Sequence, residues 1–210
     1  MTEWNQILKR KEYTPENPDE MVINLASILK DRRARKILDL GCGAGRHVIY
    51  LAEQEFEPYG SDISNTGLKL TKKRLKSQKL EAQIIKCAMK LIPYTNSYFD
   101  ATICVSTIYH QKLKEIQETI SEIHRILKKK GLLLTNFHSK RSSRYGKGIK
   151  IEEDTFMDEN GPEKGVLHHF VNENVLNELL RNFKIVELDA REKMIGSYLR
   201  SGFIVLAEKA

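Results

Sequence analysis

The hydrophobic positions of the chain alternate between short apolar runs and helical repeats, which predicts strands and helices in turn. The run from Ile37 to Leu40 is apolar except for Asp39 and suits a buried parallel strand. Val48, Leu51 and Ala52 follow it at helical spacing. Further strands are predicted at residues 56–63, 82–86, 100–105, 132–134, 184–188 and 201–207.

Polar capping residues precede several of the helical repeats. The stretch 17–20, Asn-Pro-Asp-Glu, predicts an N-capped helix with Pro18 at its first position. Ser64 can cap a helix that runs to about Gln78, and Asn172 can cap another. The most regular repeat, at residues 112–129, predicts an amphipathic helix that Gly131 stops.

Strands that alternate with helices predict an α/β fold, in which ligands bind at the carboxyl ends of parallel strands. A chain of 210 residues suits one domain. The charged segment 137–169 has no clear period and predicts an irregular loop. No apolar run approaches the roughly 18 residues that a membrane span needs, and the first ten residues lack a signal-peptide core. The sequence therefore predicts a soluble, cytoplasmic protein with no membrane partner.

Three glycines at alternate positions follow the first predicted strand. Gly41, Gly43 and Gly45 allow a sharp turn and a close approach of the backbone to a ligand. Dinucleotide binding expects G-x-G-x-x-G with Gly or Ala last, and Arg46 stands there. A dehydrogenase is therefore disfavoured. The carboxylate of Asp39 also suits a cationic amino acid better than a phosphate.

Residues 37–45, hydrophobic-Asp-hydrophobic followed by Gly-x-Gly-x-Gly, resemble the first motif of class I S-adenosylmethionine (SAM) dependent methyltransferases. Residues 86–100 resemble the family's segment from the adenine contact into "LP…SFD", and residues 104–131 its "H…E..R.LK.GG" stretch. The resemblance implies a Rossmann-like methyltransferase fold with a seven-stranded, mostly parallel sheet. It further implies an antiparallel last strand inserted between its neighbours, SAM as cofactor and S-adenosylhomocysteine as product.

The resemblance also divides the single domain. It implies an N-terminal flap and helix at residues 1–35, a cofactor-binding core at 36–136, a substrate-side insert at 137–170 and a C-terminal helix with strands at 171–210. Packing of a short N-terminal helix against the body of the domain would explain Trp4 equally well.

The resemblance assigns partners to each part of SAM. Asp39 would hold the amino end, and Asp62 would accept both ribose hydroxyls. Either aspartate could instead bond only to nearby backbone N–H groups, as turn carboxylates do. Many relatives carry an Asp where this chain has Cys87, so adenine would depend on the Ala88 backbone and on apolar packing. The expected cofactor residues are Asp39, Gly41, Cys42, Gly43, Gly45, Asp62, Ile63, Cys87, Ala88, Met89, Val105 and Ser106.

Methyl transfer does not require a dedicated base, because the sulfonium of SAM already activates the methyl group and positioning supplies much of the rate. Four residues are candidate bases if one is needed: Tyr109, His110, His138 and His169. His110 also fits a packing role at the start of a helix. Residues expected near the acceptor are Trp4, Tyr13, Tyr109, Arg141, Arg144, Tyr145 and His168. No metal site is predicted, because adjacent histidines project differently and no ligand partners stand at suitable spacing.

A formal charge of +7 favours anionic partners, including RNA. Five cations within residues 140–150 could form an RNA-binding lid or a solvated loop. A small-molecule acceptor is the first prediction, since no RNA-binding module is appended. A SAM-binding regulator without activity is a further alternative, because Cys87 departs from the family and no base is obvious. The sequence carries no signal for an oligomeric state.

Overall fold

The computed structural model describes residues 3–210, in which a helix follows each of the first, second and fourth strands but none lies between the third and the fourth. The helices are α1 Trp4–Ile7, α2 Glu20–Asp31, α3 Arg46–Glu53, α4 Asn65–Gln78, α5 Leu113–Ile126 and α6 Glu173–Leu179, with a 3₁₀ turn at Lys11–Tyr13. The strands are β1 Lys36–Leu40, β2 Glu57–Asp62, β3 Gln83–Lys86, β4 Phe99–Cys104, β5 Leu127–Ser139, β6 Ile149–Glu152, β7 Thr155–Met157, β8 Leu167–Val171, β9 Phe183–Ile195 and β10 Tyr198–Lys209.

The first five strands form a parallel sheet in the order β3-β2-β1-β4-β5. β10 lies antiparallel between β5 and β9. This arrangement confirms the Rossmann-like methyltransferase fold and the antiparallel insertion of the last strand. The carboxyl ends of β1, β2 and β4 consequently meet at one edge of the sheet, where α/β folds bind ligands.

Apolar side chains cover both faces of the sheet. On one face, α5 and α6 pack through Ile116, Ile123 and Leu176 in a cluster that also contains Phe99 of β4. On the other, α2 packs through Leu25 against residues of β1 and β4. Each of these side chains is at most 2% exposed. The two layers fix the strands and therefore the edge at which they end.

The segment 137–169 is not irregular, which corrects the prediction. β6, β7 and β8 pair antiparallel, and β8 joins the tip of β5 at His138 and Ser139, so the sheet has ten strands and not seven. Tyr145 and Phe156 pack with Phe170 at ring distances of 5.5 and 6.1 Å. These contacts join residues far apart in sequence, and a periodic pattern does not report them.

Two predicted helix caps are present. The Ser64 hydroxyl accepts a hydrogen bond from the Gly67 N–H at 3.2 Å, and the Asn172 side chain accepts one from the Val175 N–H at 3.0 Å. The start of α2 differs from the prediction, because Asp19 is the N-cap residue and Pro18 lies outside the helix. The Asp19 carboxylate caps no backbone group there and binds Arg46 instead.

The elements around β5, β9 and β10 also differ in length from the prediction. α5 ends at Ile126 and passes directly into β5, so Gly131 lies inside a strand. β9 and β10 continue beyond the sheet as a two-stranded ribbon whose residues face one another up to Ile195 and Tyr198.

The described residues contain no disulfide bond, and Cys42, Cys87 and Cys104 are all free thiols. Within residues 3–210, no helix combines the length and the apolar character needed to cross a bilayer.

Candidate functional site

A cavity of about 970 Å³ lies at the carboxyl ends of β1, β2 and β4. The N-terminal segment and the insert close it from the other side, through residues such as Trp4, Tyr13 and Leu167. Most of the predicted cofactor residues line this cavity: Gly41, Cys42, Gly43, Asp62, Ile63, Cys87, Ala88, Met89, Val105 and Ser106.

The glycine turn forms the floor of the cavity. Gly41 has a φ of +81°, and a Cβ on it would lie 2.2 Å from Cγ2 of Thr107. Gly43 has a φ of +52°, and the nearest atom to a Cβ there would be Cδ2 of Leu8 at 3.8 Å. The backbone of Gly43 therefore stays open to a ligand, whereas Gly41 is required by packing.

Asp62 lies at the end of β2 with its carboxylate fixed by the backbone. One oxygen accepts a hydrogen bond from the Gly43 N–H at 2.8 Å, and the other accepts one from the Ser64 N–H at 2.7 Å. Burial raises the pKa of Asp62, and these N–H groups oppose the rise. Each carboxylate oxygen has a second lone pair, so Asp62 can still accept hydrogen bonds from a vicinal diol such as a ribose.

An open apolar surface follows Asp62. Ile63 is 42% exposed although its side chain is apolar, and Ala88 and Met89 line the same cavity. This surface suits the face of a planar base. Burial raises the pKa of the Cys87 thiol, which is consequently neutral and a weak hydrogen-bonding partner. Asp62, the glycine turn and this apolar surface together fit SAM.

Two predicted cofactor residues do not line the cavity, which corrects their assignment. Asp39 is 2% exposed, and its Oδ2 lies 3.8 Å from Nδ1 of His47. Gly45 faces α4, because a Cβ on it would lie 2.5 Å from Cγ2 of Thr71. Both residues support the turn from behind. The spacing in the sequence suggested a position beside the ligand because spacing alone does not show which way a residue faces.

The far end of the cavity, here called the acceptor end, is built from aromatic and imidazole rings that pack against one another. The ring of Tyr109 lies 3.8 Å from that of His138. His110 packs against Trp4 on one side and His168 on the other, each at 4.8 Å. The structure therefore brings together predicted site residues from α1, the β4–α5 connection, β5 and β8.

Two imidazoles of the acceptor end, those of His110 and His138, are neutral. Burial and the nearby His168 lower the pKa of His110 to about 3, and burial with His110 and His168 lowers the pKa of His138 well below its usual range. Nδ1 of His110 lies 2.9 Å from the Leu167 carbonyl, so this nitrogen carries the proton. Nε2 of His110 then keeps a free lone pair.

Arg144 organises the insert beside these rings. One guanidinium nitrogen contacts the carboxylates of Asp158 and Glu163 and lies 2.8 Å from Nε2 of His168. The ligand atoms of Asp158, Glu163 and His168 lie within 4.8 Å of one another, which is close enough to hold a metal ion. Arg144 already supplies the positive charge at their centre. Although burial opposes it, His168 and Arg144 hold the pKa of Glu163 far below its usual range.

Three predicted site residues lie away from the cavity, which is a further correction. Arg141 binds Glu192, the Tyr145 hydroxyl donates a hydrogen bond to Asp154 at 2.7 Å, and Nδ1 of His169 lies 2.7 Å from the Thr155 hydroxyl. His169 points away from the cavity because successive residues of a strand face opposite sides, so only His168 reaches it.

Sequence reasoning missed three residues that line the acceptor end: Glu163, Tyr198 and Arg200. Tyr198 and Arg200 lie two apart on β10, in the part of the strand beyond the predicted residues 201–207. Extending the period-two pattern of that strand toward its N-terminus could have identified them. No local pattern marks Glu163.

Comparisons with known proteins agree with this geometry. A family described as a methyltransferase domain matches residues 37–131. The chain is 35% identical over 106 residues to YqeM of Bacillus subtilis, which is named as an inferred methyltransferase. The alignment covers 50% of this chain and 42% of YqeM.

Solved structures show the same fold. A SAM-dependent methyltransferase from Methanosarcina mazei superposes with a TM-score of 0.77 at 23% identity, over 92% of this chain and 98% of that one. Magnesium protoporphyrin IX methyltransferase from Synechocystis, solved with bound SAM, gives a TM-score of 0.67 at 17% identity, over 97% of this chain and 90% of that one.

The chain spans less than half the length of the first curated relatives that it matches: the alignments cover 43% and 42% of those two proteins. The matched region contains the glycine turn, Asp62 and the strand that ends at Cys104, all of which border or support the cavity. Residues 37–131 are therefore similar to a methyltransferase domain, and the chain has the fold of solved S-adenosylmethionine-dependent methyltransferases.

Proposed function

We propose that the protein transfers the methyl group of SAM to a small-molecule acceptor and releases S-adenosylhomocysteine. The observation that carries this proposal is one continuous cavity that runs from the glycine turn to the imidazoles of the acceptor end. Its volume of about 970 Å³ lies near the top of the roughly 300–1,000 Å³ usual for small-ligand sites. The cavity has room for the cofactor and a compact second molecule.

Bound SAM would supply a methyl group that its sulfonium already activates. The residues of the chain would position it and exclude water. Asp62 would accept the ribose hydroxyls, Ile63 and Met89 would cover the adenine, and Val105 with Ser106 would lie beside the methionine end.

The charge pairs of the insert support a small molecule over RNA. Lys140 binds Asp154, Arg141 binds Glu192, and Arg144 binds Asp158 and Glu163. These are three of the five cations in the segment that could have formed an RNA-binding lid. An internally paired cation has little charge left for a phosphate backbone.

Transfer of label tests the acceptor class. The protein is incubated with SAM carrying a labelled methyl group and with fractionated cell extract, and the label is traced to polymer or to low-mass material. We expect label in the low-mass fraction. Label in nuclease-sensitive polymer would favour the RNA alternative, and absence of S-adenosylhomocysteine with every fraction would favour a SAM-binding regulator.

Asp62 can be tested separately by ligand binding. The variant Asp62→Ala should weaken SAM affinity by about tenfold or more, because hydrogen bonds from the ribose to a charged group are lost. Asp100→Ala is a matched control: the Asp100 carboxylate also binds two backbone N–H groups, those of Arg35 and Lys36 at 3.0 and 2.9 Å, but at the start of β4 and outside the cavity. Isothermal titration of both variants measures the difference, and equal affinities would contradict the assignment.

A further inference from the structure

Arg200 differs from the other cations on the cavity wall. Arg46 binds Asp19, Lys90 binds Glu115 at 3.1 Å, and Arg144 binds the carboxylates of the insert. Among residues 3–210, no carboxylate lies within ion-pair distance of Arg200. Its guanidinium is exposed on the cavity side of β10, so the acceptor end carries one uncompensated positive charge.

The register of the sheet places this charge next to His138. Gly202 of β10 lies directly opposite His138 of β5, and Arg200 is two residues before Gly202 on the same face. Gly202 has no side chain that could separate them. Burial lowers the pKa of His138 most strongly, and the positive charges of Arg144 and Arg200 lower it further. Arg200 therefore places a positive charge without a carboxylate partner beside His138.

His138 has both ring nitrogens free. Within the described part of the chain, neither nitrogen makes a hydrogen bond, although the ring lines the cavity. Packing against two rings fixes its orientation instead: Tyr109 lies 3.8 Å away at an angle of 41°, and Phe170 is stacked at 5.4 Å and 29°. A neutral imidazole held in this way presents a lone pair to a ligand without having to break an existing bond.

We propose that the acceptor is a small organic acid whose carboxylate or phosphate binds Arg200, while a separate hydroxyl or N–H group of the same molecule hydrogen-bonds to His138 and receives the methyl group. This inference rests on the proposed methyl transfer and adds the chemical class of the acceptor. The cationic sulfonium of SAM attracts the same anion. Glu163 is paired with Arg144, which reduces its repulsion of that anion.

The chemical step balances without a further reactant. A lone pair of the acceptor oxygen or nitrogen forms a bond to the methyl carbon, and the S–CH₃ bond breaks with its electron pair remaining on sulfur. The proton of the acceptor group passes to the free nitrogen of His138 and then to solvent. The acid group bound to Arg200 is unchanged, so the methylated product keeps its negative charge.

The charge and the bond type of the product test this assignment. The small-molecule fraction of cell extract is incubated with the protein and methyl-labelled SAM, and the labelled product is passed over an anion exchanger and then treated with mild alkali. We expect a retained product whose label resists alkali. Loss of retention after phosphatase treatment would identify a phosphate, and continued retention a carboxylate. An unretained product, or label released by alkali as from a methyl ester, would overturn the proposal.

Two pairs of variants test the residues. Arg200→Gln should raise KM for the retained acceptor fraction by about 10- to 100-fold, because a charge-assisted bond is lost. Its control, Arg191→Gln, lies across the ribbon opposite Gly202, where Arg191 binds Asp189. His138→Phe keeps the stacking and should mainly lower kcat. Its control, His124→Phe, alters a histidine on α5 that packs on Phe183 outside the cavity.

SAM affinity separates this inference from the proposed function. All four variants should bind SAM as the wild type does. If the wild type forms no S-adenosylhomocysteine with any fraction, the proposed function fails. If the wild type turns over but Arg200→Gln shows an unchanged KM, or His138→Phe an unchanged kcat, only the present inference fails.

Discussion

The three glycines of the turn have different tasks, although the sequence presents them as one motif. Gly41 and Gly45 have no room for a Cβ, because Thr107 and Thr71 lie 2.2 and 2.5 Å from where it would stand. Gly43 has room, and that room is the cavity. At the level of single residues, the same spacing therefore combines two packing requirements with one requirement of ligand approach.

Gly43 is accordingly the glycine whose replacement should affect binding more than folding. Gly43→Leu should abolish detectable SAM binding, because the side chain would enter the cavity, at a cost of about 1–2 kcal/mol for the left-handed backbone. Gly146→Leu is a matched control, since Gly146 has a φ of +77°, no atom within 4 Å of a Cβ, and no contact with the cavity. Thermal unfolding and SAM titration of both variants check the prediction. Normal SAM affinity in Gly43→Leu would refute it.

The ends of the elements were predictable where a cap is local and unpredictable where it comes from elsewhere in the chain. Ser64 and Asn172 bond to N–H groups three residues ahead, so their sequence context is sufficient. The end of α5 depends instead on Lys209, whose ammonium group donates to the carbonyls of His124 and Leu127 at 2.6 and 2.7 Å. Each of these bonds spans more than 80 residues of sequence, and no local pattern predicts them.

Removing this cap should measurably destabilise the protein. Lys209→Gln should lower the free energy of unfolding by about 1–2 kcal/mol, because two charged hydrogen bonds at the C-terminus of a helix are lost. Lys193→Gln, an exposed position on β9, should change it by less than about 0.5 kcal/mol. Urea unfolding measures both. Equal effects would show that Lys209 does not stabilise the helix end.

In the whole molecule, His47 joins three elements beneath the site. Its Nε2 lies 3.4 Å from a carboxylate oxygen of Asp19 before α2, and its Nδ1 lies 3.8 Å from one of Asp39 in β1. Burial alone would lower the pKa of His47, but the two aspartates outweigh it and raise the pKa above 6.5. The folded protein therefore holds the proton of His47 more tightly than the unfolded chain does.

The sign of the resulting pH dependence follows from that shift. A pKa raised on folding contributes stability that is complete below about pH 6.5 and is lost as the pH rises through the folded value. The loss of stability in His47→Gln should thus be larger at about pH 6 than at about pH 8, as measured by urea unfolding. His124→Gln should show the opposite trend, because burial and Lys209 lower the pKa of His124. A difference for His47→Gln that does not change with pH would contradict the assignment.

The sequence by itself determined the α/β class, the glycine turn and the position of Asp62. Each of these depends on a local pattern: apolar period, backbone freedom of glycine, and the end of a strand. The tertiary structure alone decided that Asp39 supports the turn from behind, that Lys140 and Arg141 pair with carboxylates, and that Arg200 lies on the same face as His138. Those facts depend on the direction of side chains and on the register of strands far apart in the chain. Folding sets both through packing that no short segment of sequence contains.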